Sequence, residues 1–259
     1  MDFGLKGRAA LVLGGSRGLG RASGEALAAE GATVILAGRD EQALEDAIAA
    51  IRAAGGAARA LRLDLADRAG LEVALASVAD QPIDILINNG GGPPPGPVAS
   101  ATSEIWSLQF ETMVNALFFV TSRLLPGMRA RKWGRVVNIV SSGVVQPIPN
   151  LGLSNALRAS IVGWAKTLAA EVAVDGVTVN SVLPGRIHTE RVDSLDAAAA
   201  KRTGKTVEEI AAASRATIPV GRYGAPKEFA DVVAFLASER ASYVTGSMVR
   251  VDGGAIRSV

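Results

Sequence analysis

The chain has no cysteine and a single histidine, His188, among 259 residues. The first absence excludes a disulfide framework and a thiolate metal site, and the second argues against a zinc enzyme, so no metal is expected. Charge of one sign is also scarce: the formal net charge is +2. The basic isoelectric point therefore rests on a small excess of Arg and Lys and does not mark a nucleic-acid surface. No apolar run reaches membrane-spanning length. The N-terminus passes almost directly into an apolar stretch, which leaves no cleavable signal, and a cytoplasmic protein is the expectation. What is abundant is hydrophobic side chain, 49% of the total. That excludes disorder, and the length suits one large, well-buried α/β domain.

Short aliphatic runs alternate with Ala-rich amphipathic stretches. The runs predict strands at Ala9–Leu13, Thr33–Ala37, Ala58–Leu63, Ile83–Asn88, Arg135–Val140, Val177–Val182 and Ser247–Val251. Helices are predicted at Gly18–Glu30, Glu41–Ala54, Arg68–Ala79, Ser103–Arg131, Leu153–Val174 and Lys227–Ser238. Nearly all-apolar strands between helices argue a doubly wound parallel sheet covered on both faces. No repeat or linker divides residues 1–259, so the expectation is one domain. Residues 185–222, polar and interrupted by Gly204 and Pro219, are expected to form a mobile substrate lid.

In Ala9-Ala-Leu-Val-Leu-Gly-Gly-Ser-Arg-Gly-Leu-Gly20 a strand runs into a turn with glycines at Gly14, Gly18 and Gly20. A backbone without Cβ atoms lets a ligand approach, and the following helix turns its free N–H groups toward it. A pyrophosphate fits such a site. The alternative is a purely structural strand-helix turn. Arg17 lies in the turn and Arg39 ends the second strand, where an acidic residue would favour NAD. Two guanidinium groups suit a 2′-phosphate, so NADP(H) is preferred. Asp40 next door keeps NAD(H) possible, and the alternative is that both arginines are simply solvated. Asp64 follows the third strand, either accepting from an adenine amino group or serving as a turn or cap residue. Asn88-Asn89-Gly90-Gly91-Gly92 and the proline-rich Pro93–Pro97 close the fourth strand.

With these in place, the chain resembles a classical short-chain dehydrogenase/reductase over nearly its whole length. The resemblance rests on Gly14-x-x-x-Gly18-Leu-Gly20, Asp64, Asn88-Asn-Gly-Gly91, Asn115 and Asn138-Ile-Val-Ser141. It continues through Pro184-Gly185 with Thr189, Gly221-Arg-Tyr-Gly-Ala-Pro226 and Val251-Asp-Gly-Gly254. It implies a single Rossmann-type domain with a seven-stranded parallel sheet, a nicotinamide cofactor, a small-molecule substrate, and a homotetramer or dimer. It also implies cofactor contacts from Ser16, Leu19, Leu65, Asn89, Gly90, Gly91, Arg158, Pro184, Gly185, Ile187 and Thr189, beside the residues already named. Family members interconvert a carbonyl and an alcohol with Ser, Tyr and Lys, assisted by Asn.

Here the pattern breaks. Ser141 matches the serine and Asn115 the asparagine, but the Tyr position falls on Ser154 and the Lys position on Arg158. An aliphatic hydroxyl is a far weaker acid than a phenol, and a guanidinium does not deprotonate. Arg158 could still hold a ribose, and Ser154 with Asn155 could position a water. His188, in the loop after the sixth strand, is either a substitute general acid or a solvent-facing side chain. Arg186 and Arg191 beside it either attract an acidic substrate or are solvated. The first reading is an NADP(H)-dependent oxidoreductase, 3-oxoacyl reductase-like, with an atypical proton donor. The others are an NADP(H)-binding sensor or structural subunit without redox turnover, and a lyase or isomerase on the same scaffold.

Overall fold

The computed structural model describes residues 2–258. Seven strands build one parallel sheet: β1 (Ala9–Leu13), β2 (Thr33–Gly38), β3 (Ala57–Arg62), β4 (Ile85–Asn88), β5 (Gly134–Ile139), β6 (Val177–Pro184) and β7 (Met248–Val251). Their spatial order is β3-β2-β1-β4-β5-β6-β7. In β1, Leu11 and Leu13 join the core on one face while Ala10 and Val12 join the core on the other. Strand alternation thus divides the side chains, and because both faces are buried the sequence shows one unbroken apolar run.

Nine helices are present among the described residues: α1 (Gly18–Ala29), α2 (Glu41–Ala53), α3 (Arg68–Ala76), α4 (Ser103–Phe110), α5 (Ala116–Ala130), α6 (Gly152–Val172), α7 (Glu190–Thr203), α8 (Val207–Ala216) and α9 (Pro226–Ala237). Leu27, Leu44, Ile48 and Phe229 bring α1, α2 and α9 onto one face. Leu71, Val120, Leu157 and Ile161 bring α3, α5 and α6 onto the other. Leu11 of β1 pairs in register with Ile35 of β2 on one side and Leu86 of β4 on the other. The strand order reverses between β1 and β4, and a crevice opens there beyond the carboxyl ends of the strands.

Two departures from the sequence reading bear on that crevice. The helix expected over Ser103–Arg131 is a rod interrupted by one π turn, Glu111–Asn115, between α4 and α5. The segment expected as a lid contains α7 and α8. Gly204 ends α7 in the left-handed region at φ +70°, and Thr206 with Glu209 forms a reciprocal capping box for α8. Among the described residues no helix is long and apolar enough to cross a membrane.

Candidate active site

The turn after β1 is held from below. Gly14 and Gly18 adopt φ of +59° and +54°, where a side chain would be strained. A Cβ on Gly20 would sit 2.1 Å from the carbonyl oxygen of Gly14. Asn89, just past β4, donates from Nδ2 to the carbonyls of Leu13 and Gly14, both at 3.2 Å. Ser16 packs beside Gly38, and Leu19 packs on the core. No side chain caps α1, so its first amides stay open above the turn. Thr189, at the start of α7, lies over Gly18: a Cβ there would be 3.7 Å from the Thr189 methyl. Pro184 ends β6, Gly185 packs closely against Asp252, and Ile187 is buried in the core. These contacts bring the loop after β6 across the crevice to the glycine turn.

Carboxylates occupy the rim beside the turn. Asp40 Oδ1 accepts from the amide of Ala43 and caps α2, while its Oδ2 takes Arg17 Nη2 at 2.6 Å. Arg17 also reaches Glu190, the first residue of α7, at 3.5 Å. Arg39 approaches Asp64 at 3.9 Å. Asp64 makes a turn with its other oxygen, accepting from the amide of Ala66 at 3.0 Å. Leu65 next to it packs on the core and against Gly90.

Across the crevice, α6 projects Ser154 and Arg158 from successive turns of one face. Ser154 is buried. Arg158 donates through Nε to Ser154 Oγ at 3.3 Å and through Nη1 to the carbonyl of Ile139 at 3.0 Å. Its Nη2 reaches the carbonyl of Gly90 at 3.5 Å. The guanidinium thus spans the ends of β4 and β5. Burial, and secondarily the charge of Arg191, lower its pKa to about 10, so it stays cationic at neutral pH. Ser141, just past β5, accepts from the amide of Gly143 at 3.0 Å, which leaves its own O–H free to donate. Asn155 donates to the carbonyl of Ile148, and its Oδ1 lies over Gly143.

The remaining candidates are placed differently. Asn115 ends the π turn and donates to Glu111 at 2.7 Å; π turns recur where a helix presents a functional side chain. His188 is 69% exposed, and its Nε2 stands 3.4 Å from Asp193. Among the described residues it makes no hydrogen bond to Ser141, Ser154 or Arg158. Arg186 pairs with the buried Asp196 at 2.9 Å, and Tyr223 donates to the same carboxylate at 2.7 Å. Burial raises the pKa of Tyr223 and keeps this phenol neutral at neutral pH. Asp196 and its two partners were not legible from sequence, because one acid in an Ala-rich polar run carries no signal. Arg191 donates to the carbonyl of Pro93 at 2.8 Å, drawing the start of α7 to the proline-rich loop.

The sequence profile described as enoyl-(acyl carrier protein) reductase matches residues 14–255. The 3-oxoacyl-[acyl-carrier-protein] reductase of Vibrio cholerae is 36% identical over 254 residues, covering 96% of this chain and 98% of its own. A solved structure described as a short chain dehydrogenase/reductase family protein is 36% identical with a TM-score of 0.84, over the whole of both chains. The chain is a short-chain dehydrogenase/reductase. The L-sorbose reductase of Gluconobacter frateurii, crystallised with NADPH and L-sorbose, superposes over the full length of both chains with a TM-score of 0.93 at 32% identity. Arg158 and Arg191 are the side chains with which this short-chain dehydrogenase/reductase reaches the loop after β4, and Ser154 lies against Arg158.

Proposed function

We propose that the chain is an NADP(H)-dependent reductase of this family, cytoplasmic, interconverting a carbonyl and an alcohol in the manner of 3-oxoacyl reductases. The observation that carries the reading is the turn at Gly14, Gly18 and Gly20, folded too tightly on Asn89 and on its own carbonyl for a Cβ at Gly14 or Gly20, which leads directly into the uncapped N-terminus of α1, where a pyrophosphate fits. Arg17 and Arg39 stand at the rim where a 2′-phosphate would lie. The L-sorbose reductase was solved in complex with NADPH, which supports the same cofactor here. Asn89, Gly90, Gly91, Pro184, Gly185, Ile187 and Thr189 would hold the rest of it. Bound there, NADPH supplies a hydride for the carbonyl carbon.

The chain's own residues then handle the oxygen. The free O–H of Ser141 donates to the substrate oxygen. Ser154, whose Oγ accepts from the Arg158 guanidinium, turns its own O–H outward as a second donor. Arg158 stabilises the negative charge developing on that oxygen without giving up a proton. The proton comes from a water that Ser154 and Asn155 position, which is left as hydroxide and reprotonated by solvent. His188 is the second candidate, by a movement of its loop. Asn115 would hold a water beside this path. In the family's register Ser154 and Arg158 stand where tyrosine and lysine are usual, so the chemical step is expected to be slow.

A second reading, dinucleotide binding without turnover, is favoured by one observation: among the described residues, no histidine, tyrosine or carboxylic acid hydrogen-bonds Ser141 or Ser154. The test is NADPH oxidation over ketones, aldehydes and β-ketoacyl thioesters, beside a Ser154→Tyr, Arg158→Lys double variant, with NADPH binding followed by fluorescence. Turnover by the wild type supports the reductase. A silent wild type that binds NADPH, beside an active double variant, supports the second reading. Loss of NADPH binding sinks both. The chain is further proposed to form a homotetramer. No residue of α4 is buried, and Ile105, Leu108 and Phe110 are exposed along it. Sedimentation of wild type and Leu108→Lys tests this, with dissociation of the variant expected.

A further inference from the structure

Arginines around the crevice fall into two groups. Arg17, Arg39, Arg186 and Arg222 each have a carboxylate within 4 Å. Arg158 and Arg191 have none among the described residues; their protein partners are carbonyl oxygens and one serine hydroxyl. These two also face each other. A Cβ built on Gly92 would lie 3.2 Å from Arg191 Nη2 and 3.8 Å from Arg158 Nη2, so the terminal nitrogens border the same small space beside the Gly92 backbone. Gly92 leaves that space open.

The geometry points to this paired site as the seat of a substrate carboxylate. The reductase then acts on small oxo acids, with the carboxylate between Arg158 and Arg191 and the ketone against Ser141 and Ser154. The inference rests on the reductase reading for the ketone, but not for the anion. Two like charges brought together in a half-buried crevice cost free energy that an anion between them recovers. Arg191 uses one N–H on Pro93 and keeps the rest of its planar fork for a carboxylate. Arg158 adds a terminal nitrogen from the opposite wall. A lysine at position 158 would supply a point charge without the fork. Arg186, the other arginine of the loop, is occupied by Asp196 and does not contribute.

The site also explains why α7 begins where it does. Arg191 lies in its first turn, two residues after Thr189 covers the glycine turn. One short segment therefore touches the cofactor cradle with one residue and the anion site with another.

The test is calorimetric titration of the NADP+-loaded and unloaded protein with 2-oxohexanoate, 3-oxohexanoate and their methyl esters. NADPH oxidation is followed in parallel. The acids are expected to bind about 10-fold or more tighter than the esters, the scale of one charge-assisted pair. Arg191→Gln should bring the acids down to the esters, with Arg191→Lys in between and NADP+ affinity unchanged within about 2-fold. Equal affinity for acid and ester, or no binding of any acid, overturns the inference. So does an Arg191→Gln variant that loses NADP+ as strongly as acid, which assigns the pair to the cofactor. An acid preference without NADPH oxidation leaves the carboxylate site standing and sinks the reductase reading. Oxidation of NADPH that ignores the carboxylate does the reverse.

Discussion

At the scale of single residues, Asp40 carries two duties that a substitution can separate. It caps α2 with one oxygen and neutralises Arg17 with the other. Asparagine caps a helix as well as aspartate does. Asp40→Asn should therefore leave thermal stability nearly unchanged while freeing Arg17 for a 2′-phosphate. NADPH affinity should rise roughly 2- to 5-fold over NADH, the range of an exposed ion pair. Fluorescence titration of both dinucleotides reads this directly. His188→Gln is the second residue-scale experiment. With the ring exposed and beside Asp193, turnover should persist within about 3-fold, less than the loss of a general acid gives. A variant that binds NADPH but does not turn over would make His188 the donor.

At the scale of elements, the glycine turn and α1 form one piece with the end of β4. Gly20→Ala would drive a methyl into the carbonyl of Gly14 and the side-chain amide of Asn89, so the turn has to open. Loss of NADPH binding is expected with a fall in melting temperature, whereas Gly163→Ala, where nothing crowds a Cβ, should be neutral or stabilising. This part of the molecule was legible in the sequence because it obeys simple rules. Both-faces-buried strands read as apolar runs, and the seven predicted strands fall within two residues of those found. β4 starts at Ile85, and Asp84 just before it accepts from the amide of Ala9 with its carboxylate. The lid helices were not read, since α7 is Ala-rich and polar and lacks a continuous apolar face. Two local signs of them were nonetheless present: Thr206 with Glu209 is a capping box, and Gly204 is a helix-ending glycine. Pairing in the site was illegible for another reason. Nothing in the order of Arg186 and Arg191 along the chain says that one meets Asp196 and the other meets none.

At the scale of the whole molecule, ion pairs stand at both ends of the sheet. At the amino end Asp175 is held by Lys132 and Arg129, which together keep its carboxyl below the usual range. A carboxylate with a folded pKa below its unfolded value contributes stability above about pH 4, and that contribution fades as the pH falls further. Asp175→Asn should therefore lower the melting temperature at pH 7, and the gap to wild type should close below pH 4. Thermal melts across that window check the sign.

The carboxyl end is wired differently. Arg17 is shared: one terminal nitrogen holds Asp40 and the other reaches Glu190 at the head of α7. A phosphate that claims Arg17 must compete with Glu190, so occupancy of the dinucleotide site and the seating of α7 are linked equilibria. The exchange is worth at most about 1 kcal/mol for such exposed groups. By reciprocity, whatever anchors α7 through Glu190 weakens the hold on the phosphate by the same amount as the phosphate loosens α7.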